Sequence, residues 1–306
     1  MPGPAPFADA LSRFVFEEAA VRGALVSLDD ACRDILACHP YPPALARALA
    51  ELLAASTLLA STLKFKGALV VQLQGAGPVR LLVVECDADL NLRATAQWNR
   101  EADILPADAP LALLAGDTAR SRLSITLDPK DGGPISQGVV ALDATSIATL
   151  IEHYLTTSEQ IDSRMLLASE AGRIRGLLMQ RLPGATATDD ATWERASAEI
   201  ERIGDDNLLA AGGVETLLAG HFPDDDLRLF PSRAARFRCN CSLDRVASVL
   251  RMLGRTEVET ILAEQGLVGV TCEFCNRPYT FVADEARALF ERRGAAEGAP
   301  HGGLKH

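Results

Sequence analysis

The chain runs to 306 residues, 48% hydrophobic and 23% charged, which is enough apolar content for a sizeable core and a length that suggests one large domain with something smaller beside it. A formal charge of −11 and a pI near 5.0 exclude a dedicated nucleic-acid binder, which needs a basic face to displace counterions from phosphates. The first residues show no positive n-region ahead of an apolar stretch, and no run of about 18 apolar residues offers a membrane span. A cytoplasmic protein whose seven cysteines stay reduced is therefore expected.

Strands are expected over residues 13–16 and, after Gly23, over 24–28. Asp29 or Asp30 offers a cap for a helix running to about Cys38, stopped by the HPYPP of residues 39–43. Residues 44–64 read as a long helix, small or apolar almost all round, with Leu52, Leu53, Leu59 and Leu63 among its apolar positions. Such a circumference belongs inside a core. Residues 68–74, 79–86 and 92–97 are β-rich runs separated by Gly- and Asp-rich turns, the pattern of an antiparallel meander. Residues 122–127 and 138–141 flank a second hairpin-like connection at 128–134. Residues 146–157 are helical, and 164–169 with 174–182 form another strand pair. Residues 1–182 are thus expected to be a large α+β domain built on mixed sheets.

Residues 183–236 differ in character. Between 183 and 231 eleven acidic residues, from Asp189 and Asp190 to Asp224, Asp225 and Asp226, face three basic ones, Arg195, Arg202 and Arg228. Helices are expected at 191–203 and 213–220, but their apolar faces are thin, so the segment reads as an acidic helical linker of marginal local stability. Its scattered large apolar residues, Trp193, Leu208, Leu209, Leu217, Leu218 and Phe222, are candidates for masking or contacting apolar surface.

Residues 237–293 form a third, small unit. Ser242 can cap a helix over 243–253 that stops at Gly254, and Thr256 with Glu259 three residues on is a capping-box pattern opening 257–265. Residues 267–272 and 279–282 read as a hairpin, 284–292 as a last helix, and the small, polar tail 294–306 is expected to be disordered. The unit carries Cys239 and Cys241 as CxC and Cys272 and Cys275 as CxxC. Zinc takes four soft ligands at tetrahedral angles, and a CxxC turn delivers two sulfurs from one knuckle. A unit this small gains stability from such a metal, so one Zn2+ per chain on these four cysteines is expected. No histidine competes, because His39, His153 and His221 lie in other units and His301 and His306 in the tail.

Spacing alone favours a static structural site. A redox switch stays open beside it: four thiolates on a divalent ion carry a local charge of −2, and Arg236, Arg238, Arg245 and Arg277 stand close in sequence. Both features keep sulfur nucleophilic towards peroxide or hypochlorous acid. A thiol–disulfide oxidoreductase would place its CxxC at a helix N-terminus, whereas Cys272 leaves a strand, and a zinc-ribbon nucleic-acid module would need a basic excess. Cys32, Cys38 and Cys86 read as small buried hydrophobes. The polar clusters at 158–160 and 224–226 contain no nucleophile–base pairing, so no enzymatic activity is expected.

With these residues in view, the chain resembles the redox-regulated 33 kDa heat-shock chaperone family of bacteria over nearly its whole length, 14–290. FRCNCS at 237–242, CEFC at 272–275 and YTF at 279–281 carry the resemblance in the small unit. VRG at 21–23, ILA at 35–37, HPYP at 39–42, QLQG at 72–75 with Gly77 and Pro78, SEQ at 158–160, and LLMQ at 177–180 with Leu182 and Pro183 carry it in the large one. Ser136 departs from it, standing where members often have an aromatic before Gln137 and Gly138. The resemblance implies a chaperone core, a metastable linker over 183–236 and a four-cysteine zinc switch over 237–293. It implies that Cys239, Cys241, Cys272 and Cys275 hold zinc in a reduced, inactive state. It further implies that oxidation forms the disulfides Cys239–Cys241 and Cys272–Cys275, releases zinc and unfolds the linker. Unfolding client proteins are then held without ATP under oxidative stress, by a homodimer, with neither nucleic acid nor membrane as partner. A CxxC ring closes with less strain than a CxC ring, so Cys272–Cys275 is expected to form first.

Overall fold

The first two strands, β1 (Ala10–Phe16) and β2 (Val21–Leu28), pair antiparallel in the computed structural model, which describes residues 9–63, 66–129, 132–143, 145–184 and 186–291. Helices α1 (Asp30–Leu36) and α2 (Pro43–Thr62) follow, then the meander β3 (Gly67–Gln74), β4 (Val79–Asp87) and β5 (Asn91–Trp98). A short α3 (Leu111–Ala115) leads to the pair β6 (Arg122–Pro129) and β7 (Ser136–Ala141), to α4 (Ile147–Thr157), and to the pair β8 (Ser163–Glu170) and β9 (Arg173–Arg181). Helices α5 (Ala187–Ala210) and α6 (Val214–His221) and the short strands β10 (Leu227–Leu229), β11 (Arg233–Ala234) and β12 (Arg236–Phe237) complete one compact unit, Met1–Arg238. The second unit, Cys239–His306, holds α7 (Leu243–Leu253), α8 (Arg255–Gln265), β13 (Leu267–Thr271), β14 (Pro278–Val282) and α9 (Ala283–Glu291).

Two six-stranded sheets build the first unit. One runs β10-β1-β2-β9-β8, with β11 also paired to β1, and the other β12-β5-β4-β3-β6-β7. Helix α2, opened by Pro43 in its first turn, packs on strands of both sheets. That position explains its all-round apolar character: by length and composition it is able to cross a bilayer, yet Leu45, Leu49, Leu52, Leu53, Leu58 and Leu59 are all buried in the protein's own core.

The sheet containing β1, β2 and β9 is covered on both faces, and the two-residue period of a strand divides its side chains between two cores. Leu11, Ala24, Val26, Leu28 and Leu178 join α2, whereas Phe14, Phe16, Val21, Leu25, Leu177 and Met179 face α5 and α6. Gly23 lies inside β2 rather than ahead of it, paired with Phe14 and Met179, and only glycine fits there because a Cβ would fall 2.1 Å from Phe14 Cζ.

Several boundaries differ from the sequence reading, each for a local reason. Asp29 does not cap α1 with its side chain. Its carboxylate accepts two bonds from the Arg175 guanidinium, and Asp9 caps the turn instead by accepting from the N–H groups of Asp29, Asp30 and Ala31. Helix α1 ends at Leu36, short of Cys38, and α2 ends at Thr62, with Lys64 outside the described residues. Thr256 sits within the first turn of α8, which follows Gly254, so it is not the cap. The tail 294–306 lies outside the described residues.

The linker shows the largest difference. Thr186 and Asp189 form a reciprocal capping box, which starts α5 earlier than expected, and the helix continues to Ala210 through a bend at Gly204 (φ 61°). Its apolar residues are few but fall on one stripe: Ala196, Ile200, Ile203 and Leu208, then Val214, Leu217, Leu218 and Phe222, are buried against the second face of the sheet. Trp193 and Leu209 are half-buried at the edge of that core. Phe222 meets Phe16 edge to face at 5.7 Å between ring centroids. Strands β10 and β11 then extend one sheet along β1, and β12 extends the other in parallel with β5, pairings too short to read from sequence.

Candidate metal centre

The second unit places its cysteines by two turns and a cap. Cys239 and Cys241 lie on the segment entering α7, whose first turn is capped as expected by Ser242, its Oγ accepting from the Arg245 N–H at 3.3 Å. Cys272 and Cys275 form the knuckle between β13 and β14. There the Cys272 N–H donates to the Arg277 carbonyl (2.9 Å) and the Asn276 N–H to the Cys272 carbonyl (2.8 Å). Asn276 takes the left-handed φ of 56° that closes the turn, a conformation asparagine tolerates better than most residues. Behind the sulfurs lies a core of Val246, Leu250, Val258, Leu262, Val268, Tyr279, Phe281 and Ala286, with Cys241 and Cys272 packed at its edge.

All four Sγ atoms lie within 4.8 Å of one another and form a group that can hold a metal ion. Two contacts run from CxC to CxxC, Cys239 to Cys272 at 3.7 Å and Cys241 to Cys275 at 3.4 Å. Tetrahedral zinc with Zn–S bonds of about 2.3 Å sets its sulfurs about 3.8 Å apart. The donor set therefore fits zinc in chemistry and in spacing.

The thiols are unequal. Burial pushes Cys241 up, but a hydrogen bond from the Tyr279 hydroxyl at 3.1 Å and the neighbouring thiols outweigh it and bring Cys241 down to about 7. Burial pushes Cys239 and Cys275 up, opposed by backbone hydrogen bonds from Cys241 and from Arg277 respectively and, for Cys239, by the Cys275 thiol; the other neighbouring thiols reinforce the rise. Tyr279 is itself raised to about 12, first by its bond to Cys241 and then by burial, so its hydroxyl stays a donor at neutral pH. A divalent ion needs all four sulfurs deprotonated, so binding displaces protons and strengthens with rising pH.

The sequence reading placed Tyr279 on a strand and in the YTF motif but did not foresee its hydrogen bond to Cys241, for which its place four residues beyond Cys275 on a β alternation is the available signal. Of the arginines near the motifs, Arg277 stacks on the Tyr279 ring at 5.4 Å from its centroid, whereas Arg236 donates to Asn91 Oδ1 in the first unit. Cys32 and Cys86 are fully buried, their thiols each pushed up to about 12 chiefly by burial, and Cys38 donates to the Asp34 carbonyl. These three do not join the metal group.

Fold and site together define a two-unit α+β protein with a four-cysteine group that can hold a metal ion. The family model described as Hsp33 protein matches residues 9–282. A 33 kDa chaperonin from Methylobacillus flagellatus is 44% identical over 284 residues, covering 92% of this chain and 94% of its own. One from Chromobacterium violaceum is 40% identical over the same shares. The crystal structure of a 33 kDa chaperonin from Thermotoga maritima superposes with a TM-score of 0.77 at 18% identity, covering 94% of this chain and 99% of that one. The chain belongs to the Hsp33 family, a family of chaperones.

Proposed function

We propose that the protein is a redox-regulated, ATP-independent holdase of the cytoplasm, with a chaperone core at 1–182, a metastable linker at 183–236 and a zinc switch at 237–293. The observation that carries this reading is the gathering of four sulfurs within 4.8 Å in a small unit of thin apolar core. Zinc, when bound there by Cys239, Cys241, Cys272 and Cys275, supplies a cross-link between the segment entering α7 and the β13–β14 knuckle.

Oxidation of the four thiolates to the Cys239–Cys241 and Cys272–Cys275 disulfides passes four electrons to two molecules of hydrogen peroxide. These take four protons from solvent and leave as four waters. The sulfurs then carry no ligand charge, the ion departs, and a unit with so small a core loses its fold. The linker undocks in turn, baring Phe14, Phe16, Leu25, Leu177 and Met179 on the sheet and Phe222 on the linker itself. That apolar surface holds unfolding client proteins, and the oxidised form works as a homodimer.

A light-scattering assay with a thermally unfolding client tests the reading. Zinc-loaded, reduced protein should leave aggregation unchanged, and peroxide-treated protein should suppress it while releasing one zinc per chain. Equal suppression by both forms would sink redox control, and suppression by neither would sink the holdase.

A further inference from the structure

On the zinc-switch reading above, we infer that the Tyr279 hydroxyl is a hydrogen-bond donor that keeps the Cys241 sulfur on the metal and slows its oxidation. Tyr279 is thus a positioning residue for the switch.

The geometry fixes the donor closely. Tyr279 is 7% exposed, stands opposite Val270 in the β13–β14 ladder, and lies beneath the Arg277 guanidinium at 5.4 Å. Strand register sets the direction of its side chain and the stacked guanidinium holds the ring, so the hydroxyl is aimed at Cys241 Sγ, 3.1 Å away. A metal-bound thiolate has no proton to give, so the phenol is the donor of the pair. Backbone hydrogen bonds serve two other sulfurs, from Cys241 to Cys239 and from Arg277 to Cys275. Cys241 receives a side-chain donor, which a single substitution can remove without moving the chain.

A hydrogen bond into a thiolate lone pair draws density away from sulfur. The sulfur becomes a weaker nucleophile towards peroxide and a weaker base in competition for protons. If Tyr279 only filled the core, the ring would suffice and the hydroxyl would be a desolvation cost. Packing and donation are therefore separable with phenylalanine.

The test uses the full chain, reduced and loaded with zinc or cobalt(II), comparing Tyr279→Phe with the parent protein. Metal release into a colorimetric chelator after peroxide addition should be faster, and affinity in chelator competition should fall roughly tenfold or more. The sulfur-to-cobalt charge-transfer band should move to longer wavelength, a signature that loss of packing alone does not produce. Identical release and an unmoved band would overturn the inference. Should the variant fail to load metal, replacing tyrosine throughout with 3-fluorotyrosine, a stronger donor, decides the matter. Slower release supports the inference and unchanged release refutes it, Tyr41 and Tyr154 lying in the other unit. If the parent protein keeps its metal under peroxide, the switch reading fails, while the cobalt band still reports on the hydrogen bond.

Discussion

Phe222→Ala separates docking of the linker from folding of the core. The ring is 3% exposed, packs edge to face on Phe16 at 5.7 Å, and joins the cluster that holds α5 and α6 against β1, β2 and β9. Truncating a buried phenylalanine costs about 3–5 kcal/mol, the removed atoms and the residual cavity together. On the proposed mechanism the linker opens as a local unit, so this loss falls on its opening equilibrium first. At about 1.4 kcal/mol per decade, 4 kcal/mol raises the open population roughly a thousandfold. The core built on α2 makes no use of Phe222 and should keep its protection. Hydrogen exchange read by mass spectrometry should show faster exchange over 187–229 with 43–62 unchanged, and the reduced, zinc-loaded variant should already suppress client aggregation. Protection lost equally across 10–181 and the linker would refute the reasoning, since the linker would then belong to the same cooperative unit as the core.

Cys275→Ser replaces a thiolate with a poor zinc ligand and should abolish stoichiometric zinc binding, with loss of protection over 243–291 and, on the proposed mechanism, over the linker at 187–229 as well; native mass spectrometry that still finds one tightly held zinc would contradict the site. Gly23→Ala drives a methyl group to 2.1 Å from Phe14 Cζ and should destabilise the first unit by about 1–3 kcal/mol, lowering its melting temperature. The Asp189 carboxylate is held down at about 2, first by the Thr186 backbone N–H, then by the Thr186 hydroxyl and the Ala20 N–H. Its folded value lies below the ordinary aspartate value of about 3.9. Its contribution is therefore present above about pH 4 and lost as pH falls towards 2. Asp189→Asn should remove that acid-sensitive increment, so exchange at the start of α5 should respond less to acid in the variant than in the parent; equal responses would contradict it.

The metal group was legible because its signal is local and chemical. CxC and CxxC specify ligands by residue type, and the 30 residues between them hold two helices whose stops at Gly254 and Gly266 are written in the chain. The meander was legible for a similar reason, since β3, β4 and β5 alternate and turn at glycines and aspartates. The linker was not, because its structure comes from partners far away in sequence. Two-residue β11 and β12 carry no periodicity of their own and exist because β1 and β5 present open edges. The Asp9 cap on α1 and the Arg175 pair of Asp29 likewise join residues about 20 and 146 apart. The donor role of Tyr279 was missed because a strand tyrosine reads as core until the neighbouring sulfur is placed beside its hydroxyl.

What the sequence suggested as a weak core is better described as a core borrowed from the sheet. The His221–Glu199 contact is half-buried on both sides but lies within the linker, whereas the ion pairs Arg195 with Asp225, Arg202 with Glu199, Arg228 with Glu17, and Arg181 with Asp190 each have at least one partner largely open to solvent. Pairs of that kind contribute about 0–1 kcal/mol and are screened by salt. Docking must then rest on the apolar stripe from Ala196 to Phe222, which is buried in one cluster with side chains of β1, β2, β8 and β9. A segment held this way has little reason to stay folded once lifted, and the face it leaves, with Phe14, Phe16, Leu25, Leu177 and Met179, is apolar like the one it takes away. On the proposed mechanism, that symmetry lets a single undocking event both unfold the linker and create a client-binding surface, with no separate step needed to build it.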